Sequence, residues 1–71
     1  MSRQIQCVVH HSPEALERVL QVVRIRGFRL LQLEMQHLGD EMHLKLRLEG
    51  ERCFENLLKQ LQKLVGMQSC Y

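Results

Sequence analysis

An α+β sandwich, four antiparallel strands backed on one face by two helices, follows from three features of the sequence. Residues 13–26 and 51–64 each repeat apolar side chains three and four apart, the period of a helix with one buried stripe. Residues 42–49 alternate without exception, Met42, Leu44, Leu46 and Leu48 against His43, Lys45, Arg47 and Glu49, the period of a strand with one face in water. The order strand, helix, strand, strand, helix, strand, joined by right-handed crossovers, then gives a ferredoxin-like βαββαβ sandwich with spatial strand order 4-1-3-2.

The first strand is Arg3 to His10, with Ile5, Cys7 and Val9 on one side and Gln6, Val8 and His10 on the other. The first helix follows from about Pro13 to Arg26. Ser12 is a good N-cap, Pro13 suits the first helical position, Glu14 and Glu17 lie at the positive end of the helix dipole and Arg24 and Arg26 at the negative end. Gly27 supplies the left-handed residue that stops it. Phe28 to Gln36 is a second strand whose phase slips, since Phe28 and Leu30 share one parity and Leu31, Leu33 and Met35 the other. The slip predicts a bulge near Leu31 and apolar side chains on both faces.

His37 to Glu41 forms a hairpin turn into the strand Met42 to Glu49, and Gly50 ends that strand. Phe54, Leu57, Leu58, Leu61, Leu64 and Val65 mark a second helix from about Glu51 to Leu64, and Gly66 to Tyr71 closes the sheet. The sheet face away from the helices stays uncovered. Val8 and the surplus apolar residues of the second strand suit it to packing against another subunit, while His43, Lys45 and Arg47 keep part of it in water.

Composition narrows the function. A domain of 71 residues buries only roughly 60% of its unfolded surface, and with no Trp, two Phe and one Tyr its interior is aliphatic. Both points favour support from a partner surface. The net charge is +2 with both signs interspersed, and no aromatic platform lies on the central strands, so nucleic acid is not an expected partner. No apolar run nears the roughly 20 residues that span a bilayer, no signal-like segment opens the chain, and three unpaired-looking cysteines fit a reducing compartment; a cytoplasmic protein without a membrane partner is expected.

Catalytic chemistry is hard to assemble. The loop after the first strand carries Ser12, Pro13 and Glu14 where a phosphate cradle needs glycine and a cation, and no Ser-His-Asp or paired-carboxylate set is specified. Cys7, His10 and His11 offer a metal-handling alternative, weighed against a core thiol and two solvent-facing histidines. Cys53 and Cys70 read as core or interface residues, and His37 and His43 as turn and exposed-strand residues. Neither a catalytic residue nor a metal or cofactor is expected on this chain.

The stretch Pro13-Glu14-Ala15-Leu16-Glu17-Arg18-Val19-Leu20, then Val22-Val23-Arg24 and Arg26-Gly27-Phe28, together with Gln60-Leu61-Gln62-Lys63-Leu64-Val65, closely resembles the ACT-domain regulatory small subunits of acetolactate (acetohydroxyacid) synthase. The likeness runs from Ile5 to about Met67 and is strongest to the short isozyme II type, which implies a single ACT domain over residues 1–71. It further implies a noncatalytic subunit that binds and activates a catalytic large subunit in branched-chain amino-acid biosynthesis. Thiamine diphosphate, Mg and FAD belong to that partner. Self-association as an ACT dimer is also implied.

Valine-sensing members of the family bind effector at the loop between first strand and first helix, across two ACT domains, using backbone beside a glycine and asparagine side chains. Here the glycine position is Glu14, the loop asparagine position His11, and the asparagine after the helix Arg29. The candidate effector or subunit-interface region is therefore His11, Ser12, Pro13, Glu14, Ala15 and Arg29. A carboxylate at Glu14 repels an incoming carboxylate, with Arg29 as a partial offset, so weak or absent valine feedback is expected. A stand-alone amino-acid-sensing ACT dimer is the alternative that these departures disfavour.

Overall fold

A computed structural model describes residues 2–71. Six elements follow in order: β1 (Ser2–His10), α1 (Ala15–Ile25), β2 (Arg29–Leu38), β3 (Glu41–Glu49), α2 (Phe54–Gln62) and β4 (Met67–Cys70). The sheet order is β2-β3-β1-β4 with every neighbouring pair antiparallel, the expected topology.

The register shows which side chains share a face. Ile5, Cys7 and Val9 of β1 stand opposite Leu46, Leu44 and Met42 of β3, and all six are buried beneath the helices. Val19 and Val23 of α1 and Leu57 and Leu61 of α2 complete the core with Leu48, Phe28 and Cys70. No charged side chain is buried among the described residues.

The bulge falls where the phase slip places it. Leu30 pairs with Leu48 and Gln32 with Arg47, so Leu31 is the extra residue. Its consequence differs from the expectation. By shifting parity, the bulge puts Leu33 opposite Leu46 and Met35 opposite Leu44, on the same helix-covered face as Leu30, instead of on both faces. Met35 still keeps 53% of its surface exposed, because β2 is an edge strand with no outer neighbour.

The open face is correspondingly polar. Its rows are Arg29, Glu49 and Ser2; Gln32, Arg47 and Gln4; Glu34, Lys45, Gln6 and Tyr71; Gln36, His43, Val8 and Ser69; and Leu38, Glu41 and His10, with Val8 and the exposed Leu38 as apolar members. The Tyr71 hydroxyl donates to Gln6 Oε1 at 3.2 Å.

Helix ends differ by a few residues from the sequence reading. Pro13 and Glu14 form a preliminary turn in which the Ser12 carbonyl accepts the Ala15 N–H at 3.3 Å, and no side chain caps α1. The expected Ser12 cap is therefore not made: the backbone closes that turn, and the helix starts two residues late. Its other end is as expected. The Gly27 N–H reaches Arg24 O at 3.0 Å and the Phe28 N–H reaches Val23 O at 3.1 Å, the paired bonds of a Schellman motif, with Gly27 at φ +86°.

β2 extends past Gln36 to Leu38, so the hairpin loop is only Gly39-Asp40. A positive φ at Gly39 alone gives the pattern of a type II′ turn. α2 is shorter than expected, because Cys53 is extended and the chain straightens ahead of Phe54.

Candidate functional site

The loop from His10 to Glu14 is held from three sides. The His10 N–H donates to Gly66 O at 2.8 Å, tying the end of β1 to the start of the β4 segment. The His11 N–H donates to Asp40 O at 2.7 Å, and the His11 ring stacks on His37 with centroids 4.3 Å apart and planes 18° from parallel. The β2–β3 hairpin thus forms the floor of the loop. Glu14 O then accepts the Arg18 N–H at 2.9 Å, the first full helical bond of α1.

His11, Pro13 and Glu14 are exposed, and Ser12 and Ala15 are half-buried. The Glu14 carboxylate therefore stands in solvent where the chain enters the helix, in the region of positive dipole that favours an anion. A second carboxylate brought to that position would meet the like charge of Glu14.

Arg29 is not part of this loop. It opens β2 opposite Glu49, and its Nη2 lies 2.6 Å from Glu49 Oε1 in an exposed ion pair. His10 pairs with Glu41 at one end of β3, whereas Arg29 pairs with Glu49 at the other. At about 3.4 Å per residue the two ends are on the order of 27 Å apart. The expected offset of the Glu14 charge by Arg29 within one chain is thus excluded by topology. Arg29 instead borders a groove of about 620 Å³ between α1 and the start of β2, with Leu20, Val23, Phe28 and Leu30 in its wall and Glu17 at its rim.

The metal-handling alternative fails on facing. Cys7 points into the core against Cys70, while His10, three residues along the same strand, lies on the open face. Among the described residues no three His, Cys, Asp or Glu side chains are placed to hold an ion. Cys70 is a core residue as expected, but Cys53 is exposed at the start of α2. Two contacts had no signal in the sequence: the His11–His37 stack and the Cys7–Cys70 pair both depend on register between distant segments. No helix among the described residues is long and apolar enough to cross a membrane.

Comparison with known proteins agrees with the fold. The family model described as ACT domain matches residues 11–70. The chain is 37% identical over 69 residues to the acetolactate synthase isozyme 2 small subunit of Escherichia coli K12, covering 94% of this chain and 79% of that protein. The same identity and coverage hold for the Shigella flexneri protein of that name. Among solved structures, the crystal structure of the ACT domain from the GTP pyrophosphokinase of Chlorobium tepidum superposes with a TM-score of 0.86, covering 100% of this chain and 95% of that one at 11% identity. The solution structure of that domain gives a TM-score of 0.82. At such identity these two likenesses speak for the fold alone.

Proposed function

Because the chain belongs to the ACT-domain family and is a noncatalytic regulatory chain of the acetolactate synthase small-subunit kind, we propose that it binds and activates a catalytic large subunit of that enzyme. The observation that carries the proposal is the 37% identity maintained over 94% of the chain, which takes in both helices as well as the sheet. In this reading residues 1–71 act as one ACT domain, pair with a second copy and hold no cofactor. Thiamine diphosphate, Mg and FAD reside on the catalytic partner, in the pathway to branched-chain amino acids. The surfaces offered to that partner are the polar open face of the sheet and the flank of α1 beside Arg29.

Valine feedback is weak or absent. Glu14 is an exposed carboxylate at the position where sensing members keep glycine, and Arg29 is paired with Glu49 at the far end of the sheet. One reconstitution tests both parts. The tagged chain is mixed with the catalytic chain, retention and acetolactate formation are measured, and valine is titrated into the complex by calorimetry. Retention, a severalfold rise in activity and no binding heat at micromolar valine are expected. A chain that neither retains nor activates the catalytic subunit refutes the subunit role; micromolar valine binding refutes the feedback claim alone.

A further inference from the structure

β1 and β4 meet across two thiols. Cys7 and Cys70 are directly opposite in the antiparallel ladder, and their Sγ atoms are 3.3 Å apart. The pair beside them, Gln6 and Tyr71, exchanges both backbone hydrogen bonds, Gln6 N–H to Tyr71 O at 2.7 Å and Tyr71 N–H to Gln6 O at 3.0 Å. The next pair along such a ladder lacks these bonds, and its Cα atoms approach to about 4.5 Å. That separation lies at the short end of the range a disulfide spans, and modest side-chain rotation brings the sulfurs to the bonded distance of about 2.05 Å.

We propose that Cys7 and Cys70 are an oxidation site, a dithiol that closes to a cross-strand disulfide by exchange with a small-molecule disulfide of the glutathione class. The Cys70 thiolate attacks one sulfur of the oxidant, forming a mixed disulfide and expelling a thiolate. Cys7 gives its proton to that thiolate and attacks Cys70 Sγ, expelling the second thiolate, which takes up the proton Cys70 had released. Two electrons and two protons leave the pair, and the oxidant departs as two thiols.

Cys70 is the point of entry. It is 6% exposed against 1% for Cys7, and it lies on a four-residue edge strand paired only with β1. Short edge elements open more readily than the central strands. The hydrogen bond with the Cys7 thiol pulls the Cys70 thiol below its ordinary range, against the opposing effect of burial. Cys7, the more deeply buried sulfur, is pushed far up by its hydrogen bond with Cys70 and by burial. Attack therefore starts at Cys70 and resolves at Cys7. Cys53, exposed and on another element, takes no part.

The full chain, equilibrated with oxidised and reduced glutathione at stepped ratios, is quenched by alkylation in denaturant and mapped by mass spectrometry. At the oxidising end Cys7 and Cys70 both become unavailable and are found as one linked peptide, Cys53 carries at most a glutathione mixed disulfide, and dithiothreitol restores the thiols. Cys53→Ser retains this behaviour with the core untouched, so the result does not hang on whether Cys70→Ser folds; Cys70→Ser yields no linked peptide. Full alkylation of Cys7 and Cys70 at the most oxidising ratio, or oxidation confined to Cys53, overturns the proposal.

Discussion

Gly50 lacks a side chain because the Phe28 ring fills the space one would need. A Cβ at that position would lie 2.7 Å from Phe28 Cδ2 and 3.1 Å from two further ring atoms. Phe28 cannot simply withdraw, since it is buried, abuts Phe54 edge-on at 6.5 Å, and ends the Schellman turn of α1. Gly50→Ala is therefore expected to destabilise the chain by about 1–3 kcal/mol, the usual effect of overpacking. A urea titration should show a lower midpoint at unchanged slope, and Phe28→Leu should recover part of the loss, because neighbouring sites couple. The Arg29–Glu49 pair is a different case. Its side chains are 75% and 44% exposed, so despite a 2.6 Å contact it orients Arg29 more than it stabilises the fold.

At the level of the element, β2 shows how one residue sets the chemistry of a whole face. Leu31 stands unpaired between two stretches of regular ladder and lets Leu30 and Leu33 both face the helices. Deleting it should force one side of the strand to invert. If the far half turns, Leu33 and Met35 reach the polar open face; if the near half turns, Leu30 does. The loss expected is about 2 kcal/mol or more, read from a thermal melt, whereas Leu31→Ala, which keeps the extra residue, should lose far less. The existence of the bulge was legible in the broken parity of Phe28 to Met35, because pattern reports a change of phase. The face on which the apolar residues land was not, because a bulge reverses the rule that period two supplies. Helix stripes were legible for the same reason strands were, through periodicity. The start of α1 was misread since a serine that can cap is no guarantee that its hydroxyl, and not its carbonyl, closes the turn.

On the scale of the whole molecule, stability rests on a small core, thirteen buried apolar residues among the described ones, within a radius of gyration of 11.2 Å. With so small an interior each member carries a large share. Leu57, wholly buried on α2, is expected to cost about 2–5 kcal/mol on truncation to Ala, against a total of about 5–15 kcal/mol typical of native domains. Circular dichroism should show the melting midpoint falling by about 10 °C or more, and the catalytic partner, if it binds the folded chain alone, should restore part of it. The topology was legible from element order, and the location of the loop region from the resemblance of its residues. The separation of Arg29 from Glu14 was not, since it exists only once β2 and β1 are laid on opposite sides of β3. The same strand order also writes a timetable. β2 and β3 close over two residues and can pair within microseconds, whereas β1 must wait for Glu49 to lie opposite Ser2 and for Cys70 to reach Cys7. During synthesis β1, one of the two central strands of the finished sheet, is thus made before either of its neighbours. Ile5, Cys7 and Val9 spend that interval uncovered, which makes β1 the part of the newborn chain most open to capture by a chaperone or by another copy.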